Sequence, residues 1–398
     1  MNPDPFDLNT RHLRALPEVA SSGSLNLAAL AVGLSQPALT QGLGKLERQL
    51  GQRLFNRRFD GVTPTEAGDV MAERSGLAFA YLATAMRQAG RGFSRPEQLA
   101  TATQLKAFLA VADAGSFAGA ATATGLTRPA VHRAVRDLER VCGSALTERR
   151  GRSIALSAFG RRVARGIRLA AGEISAGIQA IAGDNEGSGR IVIGAMPLSR
   201  ALVLPHAISA FLPISPGTHL EIVEGSWREL IEPLRDGIID LLIGALREEE
   251  LPGFVQRALF DDDLAVIARA GHPLAGRQVS LDHLSRYGWI VACPGTPLRA
   301  RWDAMFVNDR PPAPLECGSV MVIRGVLADS DLLSLLSPDQ VALEIDSGML
   351  TTIPTRIAGR RRTIGITTRE GWRPTRAQAR LVELIEEAAR ATRVNESQ

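Results

Sequence analysis

Up to Gly183 apolar residues recur every three or four positions; after Arg190 they gather into short β-branched runs separated by helical stretches. The first pattern predicts amphipathic helices, the second an α/β body. The helical signal is clearest between Thr101 and Val141. Leu105, Phe108, Leu109, Val111 and Ala112 form one stripe. Ala114-Gly115-Ser116 closes that helix with a glycine suited to a left-handed cap and a serine suited to N-cap the next. An alanine-rich helix over Phe117–Thr124 follows. Thr127 is placed as an N-cap with Pro129 in the first turn, opening a helix to about Val141. Its apolar positions Val131, Val135 and Leu138 leave Arg128, His132, Arg133 and Arg136 on other faces. Two short helices joined at a glycine, the second basic outside, make a helix-turn-helix. Small alanines suit the steep, close crossing.

The chain repeats itself. At a shift of 92 residues Leu13–Gly68 lies over Leu105–Gly160 without a gap, with about 21 of 56 positions identical. Among the pairs are Gly23/Gly115, Ser24/Ser116, Pro37/Pro129, Glu47/Glu139, Leu54/Leu146 and Arg57/Arg149. That period is too long for a solenoid, so a duplicated small domain is expected. The first copy carries Pro17 in its opening helix and Gly42 and Gly44 in the helix over Gln36–Gln49. An interior proline costs about 3 kcal/mol and each glycine up to about 1 kcal/mol relative to alanine. Alanine-rich helical stretches, Gly68–Gly90 and Gly160–Gly183, follow the two copies. Asp184–Gly189 reads as a domain boundary.

In the body, Ile191–Gly194, Leu220–Val223 and Leu241–Ile243 read as central parallel strands, with helices at 201–211 and 228–236. Val255–Leu259 and Leu264–Ala268 lead towards a second lobe holding strands at Trp289–Val291 and Leu333–Leu335. Ile364–Thr367 returns to the first lobe, before a helix over 375–391.

Gly23-Ser24, Ala28-Ala29, Leu34-Ser35-Gln36-Pro37-Ala38-Leu39-Thr40, Leu46-Glu47, Leu54-Phe55-Asn56-Arg57 and Thr65-Glu66-Ala67-Gly68 closely resemble the winged helix-turn-helix of LysR-type transcriptional regulators. The second copy resembles it through Gly115-Ser116-Phe117, Thr127-Arg128-Pro129-Ala130-Val131 and Leu138-Glu139, but has Ser157-Ala158-Phe159-Gly160 at the Thr-Glu-Ala-Gly position. Ile239–Gly244, Leu259–Leu264, Ala270–Leu274 and Leu281–Leu284 resemble the type 2 periplasmic-binding-protein fold of that family's effector domain. Gly244-Ala245-Leu246 and Gly365–Thr368 look most like its galactose-binding-protein regulator branch.

The resemblance implies a multidomain chain: two winged helix-turn-helix domains (8–66 and 101–158), then an α/β two-lobed effector domain (187–392). A connector (67–100) and a dimerisation helix (159–186) join them. Lobe I would comprise 190–268 and 356–392, and lobe II 269–355. The first connector has an alternative, packing within the chain to pair the heads. Expected partners are double-stranded DNA, a small-molecule effector (a sugar or a small organic or aromatic acid) and further copies in a homodimer or homotetramer, with RNA polymerase a further candidate.

DNA contacts are expected from Ser35, Gln36, Pro37, Thr40, Gln41, Lys45, Arg57 and Arg58, and from Thr127, Arg128, Pro129, His132, Arg133, Arg136, Arg149, Arg150 and Arg152. Arginine supplies bidentate guanine contacts, and wing arginines meet phosphate or the minor groove. Ligands of open α/β sheets bind beyond the carboxyl ends of strands. Effector contacts are therefore expected at Pro197, Leu198, Ser199, Ser226, Trp227, Ala245, Leu246, Gly295, Thr296 and Ser319. Ser199 and Thr296 could donate to an acid or sugar and Trp227 could stack on an apolar ring. Each could equally be an ordinary cap or turn. Arg247 and Arg299 could pair with a carboxylate, with surface solvation the alternative.

Charge agrees. Residues 1–183 carry a net +9 and the remainder −5, within an overall +4. A basic part on an acidic body suits a polyanion. The polar, acidic start and the lack of a long apolar run argue against a secretory signal or a membrane span, so a cytoplasmic, nucleoid-associated protein is expected. Three scattered cysteines argue against a disulfide framework. The six histidines show no metal spacing, and no nucleophile elbow, Walker loop or dinucleotide fingerprint occurs. Cys293 before Pro294-Gly295 lacks an arguable histidine partner. Neither an enzyme nor a cofactor is expected, and two basic heads count against a solute-binding protein.

Overall fold

The structure is a computed structural model that describes residues 3–58, 61–87, 92–150, 153–182, 189–197, 203–307, 309–357, 359 and 361–395. A 3₁₀ turn (Pro5–Asp7) leads into α1 (Thr10–Ser22), α2 (Leu25–Val32) and α3 (Gln36–Leu50). A hairpin of β1 (Phe55–Arg58) and β2 (Gly61–Pro64) and the long α4 (Glu66–Met86) follow. After a second 3₁₀ turn (Pro96–Gln98) the order recurs as α5 (Ala102–Ala114), α6 (Phe117–Thr124), α7 (Arg128–Cys142), β3 (Thr147–Arg150), β4 (Ser153–Leu156) and α8 (Ala158–Ile181).

Capping explains why the helices break where they do. Gly23 and Gly115 both take φ +62°, ending the first helix of each unit in a left-handed turn that a side chain resists. The Ser24 and Ser116 side chains then cap α2 and α6. α1 continues through Pro17. The residue that breaks the sequence rule therefore does not break the helix, held from outside by packing. A single apolar core runs through both units, from Leu16, Leu39 and Leu46 to Phe108, Val135 and Leu138. α4 and α8 lie antiparallel within it. A Cβ at Gly166 of α8 would meet the Ala85 methyl late in α4 at 2.2 Å, and one at Gly177 would meet Met71 Sδ early in α4 at 2.8 Å.

The body contains β5 (Gly189–Ala195), α9 (Val203–Phe211), β6 (Thr218–Glu224), α10 (Trp227–Arg235), β7 (Leu241–Ala245), β8 (Phe254–Asp263) and β9 (Ala265–Arg269). It continues with α11 (Leu281–Leu284), β10 (Trp289–Val291), α12 (Pro297–Met305), β11 (Leu315–Glu316), α13 (Val320–Ala328) and β12 (Leu333–Leu336). α14 (Ala342–Asp346), β13 (Leu350–Ile353), β14 (Arg361–Arg369) and α15 (Arg376–Asn395) complete it. Two five-stranded sheets form, ordered β6-β5-β7-β14-β8 and β11-β10-β12-β9-β13.

Two expectations need correction. β6 is an edge strand rather than a central one, and its alternating pattern leaves Ile222 37% exposed. β9 pairs with β12 and β13, so 265–268 belong to the second lobe and the crossing precedes Ala265. The cause is local. Val266 and Ala268 pack with Trp289 and Leu333 of the second lobe, which a composition-based boundary cannot register.

Lobe I rests on the paired long helices. Arg165 of α8 pairs with Glu232 at 3.2 Å and with Asp236. Arg168 bridges Asp113 of α5 at 2.5 Å and the Asp236 carbonyl at 3.5 Å. Arg74 of α4 pairs with Glu173 of α8 at 2.7 Å and donates to the Arg373 carbonyl at 3.2 Å.

Candidate nucleic-acid interface and effector cleft

Ser35 and Thr127 N-cap α3 and α7, accepting from the Ala38 and Ala130 amides at 3.4 Å. Pro37 and Pro129 fill the first turn, where a missing N–H costs no helical bond. Buried Leu39, Leu43 and Leu46 turn the opposite face of α3 outward. Gln36, Pro37, Gln41 and Lys45 are exposed there, and Thr40, half-buried, accepts from Gln36 Nε2 at 3.4 Å. In α7, Val131, Val135 and Leu138 point inward and Thr127, Arg128, Pro129, Arg133 and Arg136 are exposed. His132 is half-buried, with its ring stacked on Phe117 at 3.6 Å between centroids. Burial, and then Arg128 and Arg136, hold it below the usual histidine value.

Each hairpin is tied to its helix by one carboxylate. Glu47 Oε1 accepts from the Leu54 and Phe55 amides at 2.9 and 3.2 Å; Glu139 Oε1 accepts from Leu146 and Thr147 at 2.8 and 3.2 Å. A Cβ at Gly68 or Gly160 would lie 1.9 Å from the Leu54 or Leu146 carbonyl oxygen. Thr65 and Ser157 cap α4 and α8. The Ser-Ala-Phe-Gly segment of the second unit thus keeps the cap hydroxyl and the glycine that the geometry requires. Arg57, Arg58 and Arg149 are exposed on the hairpins. Arg152 and the side chain of Arg150 lie outside the described residues.

In the body, the first turn of α10 and the loop after β7 bring Trp227, Arg228 and Arg247 of lobe I together, and place Arg228 against lobe II. A Cβ at Gly295 would come within 3.0 Å of the Arg228 guanidinium, so Arg228 reaches across the cleft. The Arg247 guanidinium sits 4.9 Å from the centre of the Trp227 ring. That ring face is therefore covered rather than free for a ligand. Arg247 Nε is buried with no partner, and its guanidinium is held below its ordinary value by burial and then by Arg228. Two cations facing the same space call for an anion.

Other expected contacts are engaged locally. The Ser226 hydroxyl and amide bond to Glu229 at 2.8 Å, and Thr296 caps α12 while donating to the Cys293 carbonyl at 2.8 Å. Ala245, Leu246 and Pro197 are half-buried along the loop edges and Ser319 is exposed before α13. Leu198 and Ser199 lie outside the described residues. Arg299 is bound to Asp303 and Glu316, not available to a ligand. Charge alone could not separate Arg247 from Arg299, because only packing shows which has a carboxylate beside it.

Among the described residues no cluster of His, Cys, Asp and Glu could hold a metal, and no helix is long and apolar enough to cross a membrane. The description "Bacterial regulatory helix-turn-helix protein, lysR family" matches residues 10–69 and again 102–161, and "LysR substrate binding domain" matches 184–390. The chain belongs to the LysR family. It is thus a transcription regulator with helix-turn-helix DNA binding and an effector-binding domain. It is 30% identical over 384 residues to the HTH-type transcriptional regulator GalR of Pseudomonas putida, covering 95% of this chain and 96% of that one. It is 30% identical to PcaQ of Agrobacterium fabrum, over 72% of this chain and 94% of the relative. Full-length OxyR from Pseudomonas aeruginosa shares the fold at a TM-score of 0.55, with 24% identity, covering 72% of this chain and 94% of that one.

Proposed function

We propose that this LysR-family regulator is built from tandem copies of one winged helix-turn-helix, spanning 8–66 and 101–158, both of which read DNA. The supporting observation is the matched scaffold under the outward faces of α3 and α7, each set on a hydroxyl cap, a buried leucine or valine stripe and a glutamate-anchored hairpin. Gln36, Thr40, Gln41 and Lys45 would contact one segment and Arg128, Arg133 and Arg136 another. Arg57, Arg58, Arg149, Arg150 and Arg152 would hold phosphate. The GalR relative, which covers 95% of this chain, supports a shared two-headed architecture; PcaQ, aligned over 94% of its own length, covers 72% of this chain.

The effector of the inter-lobe cleft is, on this reading, a small anion such as a carboxylic acid rather than a neutral sugar. Arg228 and Arg247 supply the charge and Gly295 leaves room beside them. An anion bound by both lobes stabilises the closed form by its differential affinity.

The test is a nuclease footprint of the full chain on sites selected in vitro, repeated with Gln41→Ala and Arg133→Ala. Each variant is expected to lose protection over a separate segment. Absence of any selected sequence would overturn the reading.

A further inference from the structure

The shift of 92 residues that relates the two units also relates the contacts between them. Gly166 of α8 meets Ala85 of α4; subtracting the shift from the first and adding it to the second gives Arg74 and Gly177. Those two also meet, a Cβ on Gly177 lying 3.3 Å from Arg74 Cβ. The first helices behave alike. Arg14 of α1 donates to the Gln98 carbonyl in the 3₁₀ turn leading the second unit, at 3.1 Å. Its equivalent, Lys106 of α5, bonds Asp4 at 3.1 Å, beside the 3₁₀ turn leading the first. Contacts in which i touches j and the equivalent of j touches the equivalent of i define an isologous, two-fold interface. Here both sides of that interface belong to one chain.

The seam is filled. Met71, Ala78, Leu82 and Met86 of α4 are at most 3% exposed, and Val163, Ile167 and Ile178 of α8 likewise. A second chain is not needed to cover α4 or α8 along this face. The two reading faces are nevertheless chemically unlike. Gln36, Thr40, Gln41 and Lys45 of α3 stand where α7 has Arg128, His132, Arg133 and Asp137.

We propose that one chain occupies a complete operator by itself, presenting α3 and α7 to two half-sites in inverted orientation and of different sequence. This rests on the reading that both units bind DNA. A two-fold pair of equal heads selects a palindrome; unequal heads on the same two-fold select an inverted pair without palindromic symmetry. The α7 half-site is expected to be guanine-bearing and the α3 half-site adenine-bearing, from the bidentate preferences of arginine and glutamine.

The experiment is native mass spectrometry and titration of the full chain on duplexes carrying the selected segments. One duplex has both segments, one has five base pairs inserted between them, and one has a single segment reversed. The expected result is one chain per intact pair, with affinity lower by about 100-fold or more on the inserted and reversed duplexes, since the tethered second contact is lost. Two chains per pair, each protecting one segment, would overturn the proposal while leaving both heads as readers. Equal affinity for all three duplexes would overturn it as well. No selective binding to any duplex would instead overturn the underlying reading that the heads read DNA.

Discussion

The His12 ring of α1 lies where a side chain on Gly42 would stand. A Cβ added to Gly42 would come 2.3 Å from His12 Nε2. The glycine that weakens α3 by propensity is thus the space into which α1 places its histidine. The second unit has Gln104 and Ala134 at these positions, and Gln104 turns away to form a capping box with Thr101.

Gly42→Ala is therefore expected to destabilise the first unit by about 1–3 kcal/mol through overpacking, despite alanine's better propensity. His12→Ala combined with Gly42→Ala should recover most of that loss, measured by denaturant unfolding of the full chain. Additive losses in the double variant would show that the two residues do not interact.

Stability should fall on mild acidification. Burial is the leading cause that holds His12, His132 and His272 below the usual 6.5. His272 Nδ1 accepts from the Leu274 amide at 3.1 Å, which requires that nitrogen to be unprotonated. The unfolded chain therefore binds protons that the native state resists. Their stabilisation is complete above about pH 6.5 and is lost as pH falls through the depressed native values. Melting between pH 7.5 and 5 should show this slope, and His272→Asn should flatten it for lobe II.

Glu139→Ala should leave the Leu146 and Thr147 amides without their acceptor, at a cost of about 1–3 kcal/mol. The β3–β4 hairpin should loosen, with faster amide exchange there and weaker DNA binding, while the first hairpin stays protected. Glu47→Ala should show the converse.

Arg74→Met would leave Glu173, 12% exposed, without its cation. Breaking such a pair costs about 3–5 kcal/mol, and Glu173→Leu in the same chain should restore most of it. The double variant should also weaken, without severing, the link between lobe I and α4, because the bond to the Arg373 carbonyl is gone while the Arg373–Glu73 ion pair remains.

Arg247→Met is expected to abolish the response to an anionic effector while DNA binding persists, read by calorimetry with candidate carboxylic acids and by footprinting. An unaltered affinity for the acid would remove Arg247 from the cleft.

The helices of both units were legible in the sequence, because caps, left-handed glycines and apolar stripes are local and act within a few residues; the hairpins were expected only from the family resemblance. Ser24, Thr127 and Leu138 announce their roles from their neighbours alone. The body was legible as alternating strands and helices, and its unusual charge split separated it from the basic heads. Other assignments depended on residues distant in the chain. The edge position of β6 and the transfer of β9 to the second lobe follow from strand partners that local hydrophobicity does not name. Arg247 became distinct from Arg299 only when folding put carboxylates beside one and Trp227 beside the other. The repeat at 92 residues is what led to the expectation of a second, similar unit. Only the close antiparallel approach at Gly166 and Gly177 decided that they face each other across an internal two-fold, since packing at a distance of ninety residues depends on which surfaces meet.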